Sequence, residues 1–344
     1  MLPAFEAILG QDAAIRKLRS VLKNRRIPHA LLFTGLDGVG KRTTAVMMAM
    51  ACNCLSCVQE EAQGEGGSAD ETPASVGCPC GTCRFCVKIA EGMHPDVTIV
   101  EPENGTIKIS QIRSLCDVLM LRPFECRMRV AIISDAHLMN PSAGNALLKT
   151  LEEPPAHTLL ILTAHQTTDL LPTIVSRCQH IRFNPVSRAI LSDILMRQRG
   201  LGAEEASIIS RLAGGSVSKA IGLKASWMHQ RCWLMDELSR LHDSSLHIVL
   251  ALSEKLSKNR DALPDVFEIM LSWFRDILVF SHDPDRVINQ DALDGIREAS
   301  GRYDSDQVYR SIRAVQMIQN HIQAKANVQL SLDHLLLSLK AFQQ

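Results

Sequence analysis

The chain is poor in aromatics: nine Phe, three Trp and two Tyr among 344 residues. A stacking platform for single-stranded nucleic acid needs several aromatic faces in series, and this composition argues against one. Net charge is also lacking, because Lys+Arg and Asp+Glu are each 37. No global basic field advertises nucleic acid, which leaves only a local basic face. No apolar run approaches the ~18 residues of a membrane span. The opening "MLPAFEAILGQD" carries Glu6 and no basic residue, unlike a secretory signal. The expected location is cytoplasmic, with no membrane partner. In that reducing compartment, eleven cysteines read as thiols or metal ligands rather than a disulfide framework.

What is present is enough chain for two or three domains with real cores. "DAAIRKLRSVLK" spaces Ile15, Leu18 and Leu22 as a helix does. "ALLFTG" reads as a short buried strand, followed by a Gly-rich loop and the apolar helix "TTAVMMAMACN". "DVTIVEP", "VAIISDA" and "HTLLILTA" are further β-rich runs, separated by the helical "SQIRSLCDVLML" and "SAGNALLKTLEE". Such alternation predicts a parallel sheet covered on both faces. After "SRCQHIRFNPVS" the β signal ends, and from about Arg188 the chain reads as helices. A Gly break stands at "LAGGSVSKA", and turns are expected near "HDSS" and "HDPD". Residues 58–77 hold five acids, no Lys or Arg and many small residues, the pattern of a flexible surface insertion.

"CPCGTCRFC" places Cys80, Cys83 and Cys86 at C-x-x-C-x-x-C spacing, with Cys78 just before and Cys52, Cys54 and Cys57 upstream. Three thiolates at that spacing, with a fourth across a loop, suit tetrahedral zinc; an iron–sulfur cluster uses four thiolates too. Spacing alone does not choose the upstream ligand. A closed four-thiolate site is structural, since it leaves no open coordination position.

"FTGLDGVGKRTTA" has the context of a phosphate-binding loop: strand, loop, helix. Gly35, Gly38 and Gly40 let backbone N–H groups approach phosphates, and Lys41 reaches the terminal ones. The next residue should carry a hydroxyl for Mg²⁺, yet it is Arg42. Thr43 has the hydroxyl one position on, about 100° away around the helix. The strand "VAIISDA" should end in two acids. Ser134 stands at the first position and Asp135 at the second. Both changes weaken the hold on Mg²⁺, the main charge stabiliser of phosphoryl transfer. Binding of ATP or ADP stays possible but is then weak or absent. Arg177 in "LPTIVSRCQH" has two readings: a surface Arg at a strand edge, or an arginine finger for a neighbour's phosphates.

Taken in order, "GLDGVGKRT", "PCGTCRFC", "HPDVTIVEP", "IKISQIRSL", "VAIISDAHLMNPSAGNALLKTLEEPP" and "LLPTIVSRC" resemble the delta-prime family of clamp-loader subunits of bacterial DNA polymerase III. The resemblance covers residues 5–185 and returns weakly in "SWFRDIL" and "NVQLSLDHLLL". It implies an α/β P-loop (RecA-like AAA+) domain over 1–185 with a zinc knuckle at about 54–86. A small helical lid at 186–234 and an all-α collar at 235–344 follow. It implies structural Zn²⁺ on Cys54, Cys80, Cys83 and Cys86, with Cys52, Cys57 and Cys78 extra. It makes Ser176-Arg177-Cys178 the finger motif, completing the ATP site of an adjacent motor subunit. The resemblance further implies a five-subunit ring with gamma/tau motor and delta subunits. Contact with the sliding clamp and with primed DNA is then through the complex. The family's lid places an Arg where Ser218 stands here, with Lys219 one step on. Motor subunits share much of this pattern but commonly carry C-terminal extensions, whereas this chain stops at Gln344.

The expectation is a stator that does not hydrolyse ATP itself. Its rivals are a gamma/tau-type motor or other self-sufficient AAA+ ATPase, favoured by the intact Lys41, and a zinc-dependent nucleic-acid adaptor. Neutral charge and few aromatics weigh against the adaptor.

Overall fold

The computed structural model describes residues 5, 8–24, 26–56, 79–223 and 225–342. The expected insertion at 58–77, with Cys57 and Cys78, lies outside them. The chain divides into two compact units: Met1–Leu201 with Ala213–Ala220, and Gly202–Leu212 with Ile221–Gln344.

The first unit is built on a five-stranded parallel sheet in the order β2-β3-β4-β1-β5. Its strands are β1 (Ala30–Thr34), β2 (Val97–Val100), β3 (Arg129–Ile133), β4 (Thr158–Ala164) and β5 (Gln179–Arg182). β1, β3 and β4 are buried along their whole length, as near-continuous apolar runs with both faces covered should be. Side chains alternate between faces. Leu31, Phe33, Val130, Ile132 and Ile161 enter one core, with Leu18 of α1 (Asp12–Lys23), Met48 of α2 (Lys41–Asn53) and Phe85 of α3 (Arg84–Ala90). Leu32, Ala131, Ile133 and Leu162 enter the other, with Leu115 of α4 (Ile109–Leu119), Leu147 of α5 (Pro141–Glu152) and Ile174 of α6 (Pro172–Val175). α2 is apolar around most of its surface because it lies under the sheet rather than beside solvent. α7 (Arg188–Arg199) follows the sheet, starting at the Ser187 cap and ending at Gly200 in the left-handed region.

The fifth strand is a finding that the β-rich runs did not announce. "QHIR" buries only Ile181 fully, so it lacks the apolar run of its neighbours. Its place is fixed by pairing with β1, Leu31 beside Gln179 and Thr34 beside Arg182.

The second unit is helical among its described residues. It contains α8 (Ala203–Leu212), α10 (Ala225–Ser239), α11 (Leu246–Ser257), α12 (Leu263–Phe280), α13 (Leu293–Arg302), α14 (Ser305–Gln323) and α15 (Val328–Ala341). The short α9 (Val217–Gly222) runs across the division between the units. α12 is central and packs on α10, α13 and α14, burying Val266, Met270, Trp273, Phe274 and Ile277. "HDSS" and "HDPD" fall at the turns before α11 and after α12. A polar pin crosses this core. Arg231 is fully buried and holds Asp291 through two 2.7 Å bonds, while Asn289 accepts from its Nε and second amine. Asp276, also fully buried, accepts from the N–H groups of Ile288 and Asn289. Each charge is paired and hydrogen-bonded, the condition on which a buried charge is tolerated.

Candidate phosphate cleft and cysteine cluster

The Gly-rich loop leaves the carboxyl end of β1 and runs into the amino end of α2. Gly35, Gly38 and Gly40 take φ of 147°, 74° and 100°. A side chain at Gly35 would meet the Phe183 carbonyl oxygen at 2.4 Å, and one at Gly38 the Ser216 hydroxyl at 2.3 Å. The Gly38 carbonyl accepts from the N–H groups of Val217 (2.9 Å) and Ser218 (3.1 Å), so the segment around α9's start grips the loop from outside. Lys41 is buried. Its ammonium donates to the carbonyls of Gly35 (2.6 Å) and Leu36 (2.9 Å), with Asp37 at 3.2 Å.

The loop borders a cleft of about 490 Å³ whose lining includes Lys41, Arg42, Thr43, Ser134, Asp135 and Ser218. Residues far apart in sequence thus meet there. Arg42 forms an ion pair with Glu101, just beyond β2, and both are largely exposed. Ser134 is buried and its hydroxyl has no partner among the described residues. Asp135 sits in the left-handed region at φ 52°, its N–H held at 2.9 Å by the Thr163 hydroxyl. Sequence reasoning missed Thr163 and Glu101. Ile133 pairs with Leu162, so Thr163 near the end of β4 is level with Ser134 just after β3, and strand register would have found it; nothing local marks Glu101. His137 packs edge-on to His165, and burial together with the His165 charge keeps His137 below the usual imidazole range.

Arg177 is outside this cleft. It lies just before β5, and β5 begins with Gln179 beside Leu31, four residues before the loop opens at Gly35. At ~3.3 Å per residue, about 13 Å of strand separates that level from the loop. The guanidinium is about one-third exposed, bonded to Glu152 (2.8 Å) and to the Thr173 carbonyl (3.0 Å). It stands at the amino end of the sheet, while the loop stands at the carboxyl end.

The four sulfurs of Cys54, Cys80, Cys83 and Cys86 lie within 4.8 Å of one another. Cys54 ends α2 with extended backbone, which turns its side chain out of the helical row. Cys52 remains in that row, and burial pushes its thiol up to about 12. Gly81 at φ 72° makes the turn that folds Cys80 back. Backbone N–H groups of Cys80, Cys83 and Cys86 point at the sulfurs of Cys54 (3.4 Å), Cys80 (3.3 Å) and Cys83 (3.5 Å). Burial raises the Cys80 thiol, but bonds from Ser56, Cys83 and Thr82 outweigh it and bring it to about 7. Cys86 is driven up, first by its bond with Cys54 and then by burial. Tetrahedral zinc with ~2.3 Å bonds spaces sulfurs by about 3.8 Å; Cys80 and Cys86 are 4.0 Å apart. The donor set could hold a metal ion with little movement.

A second group, His94, Asp96 and Cys126, also clusters. Asp96 is fully committed. It accepts from the N–H groups of Phe124 (2.7 Å), Glu125 (2.8 Å) and Cys126 (3.0 Å) and from Arg129 (2.9 Å). Burial raises its carboxyl, yet these donors hold it below the usual carboxylate range. The group is a structural clasp rather than an open ligand set.

A parallel sheet with a Gly-rich loop running from its β1 into a helix defines an α/β protein of the P-loop class. A family described as "DNA polymerase III, delta subunit" matches residues 10–187, and "DNA polymerase III, delta subunit, C terminal" matches 225–341. The chain belongs to the DNA polymerase III delta-subunit family. It is 28% identical over 336 residues to the DNA polymerase III subunit delta' of Bacillus subtilis (strain 168), covering 96% of each chain. It is 30% identical over 304 residues to subunit tau of the same strain, covering 81% of this chain and 51% of tau. A gamma subunit-related protein of Thermotoga maritima overlays 97% of this chain and 100% of its own at 18% identity, with a TM-score of 0.45.

Proposed function

We propose that this chain is the delta-prime-type stator of a DNA polymerase III clamp loader. It sits with gamma/tau motor subunits and delta in a five-subunit ring, in the cytoplasm. The AAA+ domain spans 1–185, the lid 186–234 and the collar, which joins the ring, 235–344. The sliding clamp and primed DNA are met through the complex. Cys54, Cys80, Cys83 and Cys86 hold a structural Zn²⁺, which would lock the chain after α2 to the start of α3. The chain's own cleft performs no hydrolysis, because Arg42 and Ser134 replace the hydroxyl and the carboxylate that hold Mg²⁺.

One observation carries this reading: Arg177 lies at the opposite end of the strands from the chain's own loop. A guanidinium there cannot reach phosphates bound in cis. In trans, its planar donors suit the charge that develops on a transferring phosphoryl group. The test is clamp-stimulated ATPase in a reconstituted loader. Arg177→Ala should reduce turnover at the neighbouring site by about 10³-fold or more, the scale of an arginine finger, while Lys41→Ala leaves turnover near the parent. The reverse pattern, or robust hydrolysis by this chain alone, would identify a motor instead.

A further inference from the structure

The cleft beside the loop has kept most of a phosphate site while losing the means to hold a metal. The carbonyls of Gly35 and Leu36, with Asp37, pin Lys41 inside it, and α2, thirteen residues long, points its amino end at it. Aligned backbone dipoles make that end favourable to anions. A second observation is independent of the helix. Ser134 is 5% exposed, lines the cleft, and its hydroxyl bonds to nothing among the described residues. A buried hydroxyl without a partner costs free energy that a bound acceptor would recover.

The two replacements also have a common electrical effect. Arg42 in place of a hydroxyl adds one positive charge. Ser134 in place of a carboxylate removes one negative charge. Together they shift the cleft by two charges in the positive direction, the charge of one Mg²⁺. Arg42 sits one residue past Lys41, at the position from which a side chain normally reaches the metal. Its guanidinium is 59% exposed and, among the described residues, is tied to Glu101 alone, itself half exposed, so it can turn toward the cleft at little cost. Unlike a point-charge ammonium, it presents a planar fork of donors that matches a phosphate edge.

The geometry points to a nucleotide site that needs no divalent cation: the cleft holds the polyphosphate of ADP or ATP, with Arg42 supplying the metal's charge and Ser134 donating a hydrogen bond. This rests on the reading of the cleft as altered at its metal positions. Asp37, Glu101 and Asp135 also face the cleft, and they set the limit on affinity. Asp37 is engaged by Lys41 and by His165 at 3.3 Å, and Asp135 anchors its own N–H on Thr163. Glu101 is the acid that a ligand must displace from Arg42.

The experiment is titration of the full chain with a fluorescent ADP analogue, once in EDTA after zinc loading and once in excess Mg²⁺. The two dissociation constants should agree within about twofold. Tripolyphosphate should compete. Arg42→Ala should weaken binding in EDTA by about tenfold or more, the worth of a charge-assisted bond to phosphate. Arg42 is exposed, so thermal unfolding should match the parent and exclude misfolding. The paired variant Arg42→Thr with Ser134→Asp should lose binding in EDTA and regain it in Mg²⁺. No saturable binding in EDTA, a strict Mg²⁺ requirement in the parent, no competition by tripolyphosphate, or an Arg42→Ala protein that binds like the parent would each overturn the proposal. Those results leave the stator reading standing, because it is judged by the Arg177→Ala ATPase.

Discussion

Removing the Asp96 carboxylate tests how the first unit is held together. Four donors converge on this buried group: three consecutive N–H groups at Phe124–Cys126 and the Arg129 guanidinium. Asp96→Ala takes away their acceptor at one stroke. The three N–H groups do not cost equally with Arg129. Phe124 is 80% exposed, so water reaches this segment and each N–H costs toward the low end of the range, about 1 kcal/mol or less. Arg129 is buried and keeps the carbonyls of Val118 and Arg122, but its countercharge is gone. Removing one member of a buried pair typically costs about 3–5 kcal/mol, and the whole change should fall there. Asp96→Asn retains an acceptor oxygen and should cost about half as much. Adding Arg129→Met to Asp96→Ala removes the stranded charge and should recover about 1 kcal/mol or more. The assay is urea unfolding with zinc saturating, read beside hydrogen exchange at residues 124–126 so that the affected unit is identified. An Asp96→Ala protein within about 0.5 kcal/mol of the parent, with unchanged exchange at those amides, would refute the reasoning.

Acid should act in two windows. Burial keeps His94, His137 and His180 below their ordinary 6.5, so the unfolded chain takes up protons first, and stability present above 6.5 declines as pH falls below it. The depressed carboxyls of Asp96 and Asp291 contribute stability above 3.8 that disappears as pH drops through their lower folded values; a pH series of melting temperatures should show both steps. Elemental analysis should find about one zinc per chain, and Cys54→Ser should lower both zinc content and melting temperature, whereas Cys52→Ser should retain the metal. Gly38→Ala combines a left-handed φ of 74° with a collision at the Ser216 hydroxyl, and should lower stability by about 1–3 kcal/mol while exposing residues 216–218 to exchange.

The layered α/β core was legible because β1, β3 and β4 are continuous apolar runs and the helices between them are periodic. β5 was hidden, since one buried Ile in four residues carries no strand signal and only pairing with β1 creates it. The loop glycines and Lys41 could be read from spacing, because backbone conformation demands those residue types at those places. The cleft's other wall could not: Thr163 and Glu101 arrive through sheet order and through an ion pair made 59 residues away from Arg42. Among the upstream thiols, spacing left Cys52, Cys54 and Cys57 open. The end of α2 brings Cys54 to the other three sulfurs and leaves Cys52 in the apolar core. The Asp96 clasp was invisible, since its partners lie 28 to 33 residues on and none belongs to a recognisable motif.

The parallel sheet has one further consequence. A body with its loop at one end of the strands and Arg177 at the other is directional, like a plug with a socket behind it. Identical directional bodies joined head to tail repeat one contact around a ring, and every junction is equivalent. A member whose plug is intact and whose socket is altered ends that equivalence. In the proposed ring it would mark one junction as unlike the others, giving the ring a starting point that a ring of equals lacks.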